Sequence, residues 1–145
     1  EDAPGRFEYG TPNIPGVIGL GRGVEYAKSL GVEDIQWHEE TLARDAARRL
    51  SGIDKVEVYG PQDRAGVVPF NVVGLNPHDV AMILDETRRI CVRSGYHCAI
   101  PSVNLLKVEG TIRASFGAYN LTEEVDLLVD TVEQIATTLA GEGHK

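Results

Sequence analysis

Long apolar runs are missing from this 145-residue chain. No stretch approaches the roughly 18 apolar residues of a membrane-spanning helix, and no short apolar segment with a basic leader marks a secretory signal. Cysteine is scarce. Cys91 and Cys98 lie seven positions apart and cannot build the disulfide framework of a small secreted domain. Both absences give a cytoplasmic location as the expectation. Basic runs are missing too: 14 lysines and arginines are dispersed among 22 acids, for a net charge of −8. The positive stripe that meets nucleic acid or anionic lipid is therefore lacking, and small molecules and proteins are the expected partners. There is no initiator methionine; the chain opens at Glu1-Asp2-Ala3-Pro4, as expected of a piece of a longer protein. Internal repeats and low-complexity segments are also absent.

What is there suffices for one core, since 42% of the residues are hydrophobic. Residues 1–13 carry turn-formers and no periodicity. Ile14 to Leu30 has Val17, Leu20, Val24 and Ala27 at helical spacing and Gly31 as C-cap. Gly19, Gly21 and Gly23 inside that helix would weaken it by roughly 1 kcal/mol each, so close packing on another helix is expected to offset them. Val32 to Leu50 predicts a second helix with Ile35, His38, Leu42, Ala46 and Leu50 on one stripe, flanked by Trp37 as cover for an edge of the core. Lys55–Tyr59 and Val67–Val73 read as an antiparallel strand pair around a Gly-Pro turn. A helix from Asn76 to Arg89, a short strand over Ile90–Arg93 and a helical turn over Ser102–Leu106 follow. A strand over Thr111–Phe116 comes next, and a last helix begins at Thr122 with Val125, Leu128, Val132, Ile135 and Leu139 inward, up to Gly141 and a frayed tail. The order predicts an α+β fold: a small, mostly antiparallel sheet with helices packed on one side.

Chemistry concentrates in two segments. Arg93-Ser94-Gly95-Tyr96-His97-Cys98-Ala99-Ile100-Pro101 puts a thiol in a loop. Positive charge from Arg93 and His97 would favour the thiolate, the reactive form. Gly110-Thr111-Ile112-Arg113-Ala114-Ser115-Phe116 puts a guanidinium on a strand, where its planar fork can grip a carboxylate. A thiol beside a carboxylate clamp suggests an amino-acid substrate. Other polar residues carry plainer readings. His38 is expected as a packed helix residue, His78 as a helix-start residue and Cys91 as a buried small apolar residue. By itself Thr11 reads as a turn or helix-cap threonine. A zinc site from Cys91, Cys98, His97 and His78 fits no structural-site spacing, so no metal is expected.

The pattern R-x-G-x-H-C-A-x-P, then G-T-x-R-A-S-F-x-x-Y-N and E-E-V-D, resembles the C-terminal part of SUF-type (group II) cysteine desulfurases, which are pyridoxal-phosphate enzymes of the class V aminotransferase family. Phe7-Glu8-Tyr9-Gly10-Thr11-Pro12-Asn13, followed by Gly19-Leu20-Gly21, is similar to the same family's F-E-x-G-T-P-N segment. The resemblance implies the small domain of a fold-type I enzyme over residues 31–145, preceded over residues 1–30 by the end of the large domain and the interdomain helix. It implies removal of sulfur from L-cysteine to give L-alanine and an enzyme-bound persulfide for iron-sulfur cluster assembly, with pyridoxal 5'-phosphate as electron sink. A homodimeric parent and a sulfur-acceptor or scaffold protein as partner are implied as well. Carried over by residue, Cys98 is the nucleophile and persulfide carrier, and Arg113 holds the substrate carboxylate. His97 and Arg93 support the thiolate, and Thr11 reaches the cofactor phosphate of the partner subunit.

Two departures qualify the resemblance. The family's pair of histidines before the cysteine is here Tyr96-His97, which puts proton transfer at the first position in doubt. The lysine that binds the cofactor belongs to an S-x-H-K context, and Lys28, Lys55, Lys107 and Lys145 all lack it. The chain alone is therefore expected neither to bind the cofactor stably nor to turn over. Two other readings stay open: a selenocysteine lyase or other class V aminotransferase domain, and a non-catalytic sulfur-carrier module.

Overall fold

The computed structural model describes Ala3 and residues 5–138, so the expectations for Leu139, Gly141 and the tail lie outside the described residues. The chain divides into two compact units, one through Ile35 and one from Gln36 onward.

The first unit holds a short 3-10 helix, η1 (Gly5–Phe7), and helix α1 (Ile14–Leu30). Asn13 caps α1, its side-chain oxygen accepting from the Gly16 N–H at 3.1 Å, and Pro15 sits in the first turn, where no amide donor is needed. Gly31, at φ 88°, ends the helix by donating to the Lys28 carbonyl. No residue of α1 is buried. A Cβ added at Gly19, Gly21 or Gly23 would meet no atom within 4 Å, so the packing expected to offset these glycines is not found among the described residues.

The second unit continues α2 (Val32–Leu50) and adds β1 (Val56–Val58), β2 (Val67–Val72), α3 (Pro77–Arg88), β3 (Arg93–Gly95), α4 (Ile100–Leu105), β4 (Thr111–Ser115) and α5 (Thr122–Thr138). The four strands form one antiparallel sheet in the order β1-β2-β4-β3. Val68, Phe70, Val72, Ile112 and Ala114 turn one face into the core against Leu42, Ala46 and Leu50 of α2, Val80 and Leu84 of α3, and Leu128, Val132 and Ile135 of α5. The alternating strand pattern leaves Pro69, Asn71, Thr111 and Arg113 on the other face. The α+β architecture is thus as the pattern predicted, with helices gathered on one side.

Three local expectations fail. Trp37 is exposed rather than covering the core, because it stands a third of a turn off the buried stripe. Cys91 is exposed as well, lying in the connection between the left-handed cap Arg89 (φ 57°) and β3. β3 itself starts at Arg93, not Ile90, because its partners are Thr111 to Arg113 of β4. His38 is as expected: half-buried, its Nε2 donates to the Asn120 carbonyl at 2.9 Å. That ties α2 to the turn before α5. Glu124 accepts from the Leu121 N–H and Asn120 Nδ2, both at 2.9 Å, which fixes the start of α5.

Candidate active site

The register of the edge pair decides which side chains meet. Arg93 pairs with Arg113, and Gly95 with Thr111. Directly opposed residues of an antiparallel pair share a face, so both arginines project from the face turned away from the core. No carboxylate lies within ion-pair distance of either among the described residues, and the buried Arg113 Nε–H has no acceptor. Two adjacent cations with unspent donors make this face a receptor for an anion.

Beyond β3 the chain turns over at His97 and Cys98, both left-handed at φ 55° and 59°, and the Ala99 N–H closes the turn on the Tyr96 carbonyl at 2.8 Å. Holding two successive non-glycine residues there costs on the order of 1 kcal/mol each. Two glycines let the surroundings close around this turn. Gly110, at φ 137°, lies so near the neighbouring strand that an added Cβ would come within 3.1 Å of Gly95 Cα, and one on Gly95 would come within 3.2 Å of the His78 ring. That ring shares a 2.9 Å hydrogen bond with Ser94 Oγ. His78 thus starts its helix as expected and also braces β3.

The outcome is a cluster. Arg93 donates to Cys98 Sγ at 3.3 Å, and the exposed sulfur sits in an open turn, as expected. His97 Nε2 and the buried hydroxyl of Thr111 share a 2.8 Å hydrogen bond, while the buried His97 Nδ1 has no partner. Burial, then the charges of Arg113 and Arg93, lower the His97 pKa below the usual histidine value. That shift favours the neutral imidazole over the positive charge expected beside the sulfur. The cation in contact with the sulfur is Arg93. Thr11 lies in the first unit, exposed in the bend before α1.

Two residues of this face escaped the sequence reading. Thr111 stood inside the quoted motif without a role. Asn71 was read only as a strand position, yet its Nδ2 donates to the Gly110 carbonyl at 2.9 Å and its Oδ1 accepts from the Ile112 N–H at 3.3 Å. An amide among the apolar residues of β2 was the available signal.

Residues 1–128 match the family described as Aminotransferase class-V. A probable cysteine desulfurase of Methanothermobacter thermautotrophicus is 48% identical over 140 residues, which cover 94% of this chain and 35% of that protein. One from Pyrococcus abyssi is 46% identical, covering 95% and 35%. Among solved structures, the apo cysteine desulfurase of Thermococcus onnurineus superposes with a TM-score of 0.89 at 45% identity, over 96% of this chain and 35% of that one. An Escherichia coli cysteine desulfurase in its S-sulfonic acid form gives 0.85 at 34%, covering 92% and 33%. The chain spans about a third of the length of the curated relatives it matches.

Enzymes of this family use pyridoxal phosphate bound to a lysine, and the lysines described here do not fit that role. Lys28 lies on α1, Lys55 precedes β1 at the sheet edge opposite β3, and Lys107 follows α4 on an exposed turn. Among the described residues, the hydrogen bonds of the cluster join Arg93 to Cys98 and His97 to Thr111, and no lysine takes part in them.

Proposed function

We propose that this chain, which belongs to the aminotransferase class-V family, is the C-terminal part of a SUF-type (group II) cysteine desulfurase. In this reading residues 1–30 close the large domain and run as the interdomain helix, and residues 31–145 form the small domain. The observation that carries the reading is the Arg93 donor on Cys98 Sγ, with Arg93 itself opposite Arg113.

The parent enzyme converts L-cysteine to L-alanine and a persulfide. The cofactor supplies the electron sink for that chemistry, and the lysine that binds it is contributed by another part of the parent. What this chain contributes follows from its own groups. Arg113 takes the substrate carboxylate through its unspent donors. The Cys98 sulfur, in contact with Arg93, is the nucleophile: it bonds to the substrate sulfur as the substrate Cβ–S bond breaks, the electron pair stays with the carbon that is protonated to give alanine, and Cys98 retains the sulfur as the persulfide. His97, fixed by its hydrogen bond to Thr111, supports the turn that carries Cys98. Thr11 serves the cofactor phosphate of the other subunit of a homodimer. The persulfide passes to an acceptor or scaffold protein of iron-sulfur cluster assembly in the cytoplasm.

The test is alanine production from L-cysteine by the cofactor-loaded parent. Cys98→Ser should abolish it, whereas Arg113→Lys should raise KM far more than it lowers kcat. Undiminished alanine formation by Cys98→Ser would replace this reading with plain class V chemistry, which needs no thiol.

A further inference from the structure

A cavity of about 430 Å³ opens where the C-terminal half of α2 meets the turn between β1 and β2, lined by Arg44, Ala47, Arg48, Ser51, Gln62 and Arg64. It shares no residue with the cluster around Cys98, and its volume is that of a small-molecule site. Three of its six lining residues are arginines, in a chain whose net charge is −8.

These arginines are not equally committed. Arg48 is paired with Asp45 and points largely outward. Arg44 has Glu40 at 3.7 Å and Asp63 at 4.0 Å, both too far for a hydrogen bond, so they offset part of its charge without occupying its donors. Arg64 has no carboxylate within ion-pair distance among the described residues. One of its terminal nitrogens donates to the Tyr59 carbonyl at 3.4 Å, and its buried Nε–H has no acceptor. Burial lowers its pKa, with no acid to compensate. Gln62 adds an amide that makes no hydrogen bond among the described residues. A half-buried guanidinium with no carboxylate partner and an unused buried donor is unfavourable until an anion joins it, and the planar guanidinium fork matches a phosphate as well as a carboxylate.

We propose that this cavity is a binding site for a small phosphate monoester, with Arg64 as its anchor and Arg44 as its second donor. A phosphate offers three acceptor oxygens to the two guanidinium forks, where a carboxylate offers two.

The test is a titration of the ¹⁵N-labelled chain at low salt with inorganic phosphate, AMP, adenosine and sodium chloride, reading the Arg64 Nε–H resonance. Saturable shifts with phosphate and AMP are expected, tighter for AMP and absent for adenosine and chloride. Arg64→Gln should weaken AMP binding at least tenfold. Arg44→Gln, on an exposed helix face with its fold checked by an unchanged amide spectrum, should weaken it at least threefold. Non-saturating shifts like those of chloride, adenosine binding as well as AMP, or unweakened binding by both variants would overturn the proposal. Equal affinity for inorganic phosphate and AMP would overturn the monoester assignment.

Discussion

Arg93 and Arg113 lie directly opposite each other across β3 and β4, a like-charge pair on one face of the sheet. Such a pair destabilises a sheet by a few tenths of a kcal/mol or more. One of the two is already turned to Cys98, and the other keeps a buried donor unused. In the proposed function the pair divides two tasks, Arg93 attending the sulfur and Arg113 taking a carboxylate.

Removing the Arg93 donor should slow reaction of Cys98 with a thiolate-specific reagent. A charged hydrogen bond contributes about 1.5–3 kcal/mol when shielded, and exposure of this pair reduces that, so iodoacetamide alkylation of Arg93→Ala at neutral pH should slow by a factor of roughly 3 to 10. Cys91 supplies an internal reference in the same chain, since it is also exposed and its rate should not change. Equal rates at Cys98 in both proteins would remove Arg93 from the account.

The depressed pKa of His97 has a signed consequence for stability. Below the ordinary histidine value of about 6.5 the unfolded chain binds a proton, while folded His97 resists it until lower pH because of burial and the two arginines. In that window the unfolded state holds more protons, so stability falls as pH falls. Denaturant unfolding at pH 7.5 and 5.5 should show a smaller acid-side loss for His97→Gln than for the natural chain. An identical loss in both would mean that His97 is not held neutral.

Asn71 should matter more than a half-buried strand residue normally does. Its amide satisfies both the Gly110 carbonyl and the Ile112 N–H, and it reaches Tyr59, whose hydroxyl is pushed up to about 12 by burial and by Glu57. Asn71→Ala strands those two backbone groups, which should destabilise the fold by about 1–3 kcal/mol. A change within ~0.5 kcal/mol would show that water replaces the amide freely.

How far the sequence reveals this molecule depends on whether its partners in packing are local. α2 and α5 were legible because their apolar stripes face a core made from the same chain, and β2 and β4 because alternation marks a sheet with one buried face. The placement of Cys98 in an exposed turn and of Arg113 on a strand was legible as well. Four features were not. Trp37 and Cys91 are exposed because their places are set by helix phase and by a left-handed cap, which composition does not record. The start of β3 depends on pairing with residues nearly twenty positions away. The lowered pKa of His97 follows from burial, and then from two arginines that only the register brings beside it.

Adding pyridoxal phosphate to this chain should leave the free cofactor's absorbance spectrum unchanged, since no lysine joins the cluster around Cys98. A shifted band retained after gel filtration would show that these residues hold the cofactor unaided.

The most direct measurement is the mass of the peptide carrying Cys98 after the cofactor-loaded parent has turned over L-cysteine without an acceptor. The account predicts the added mass of one sulfur atom on that peptide, released by a reducing thiol, and none on the peptide carrying Cys91. An unmodified Cys98 peptide alongside stoichiometric alanine would contradict it.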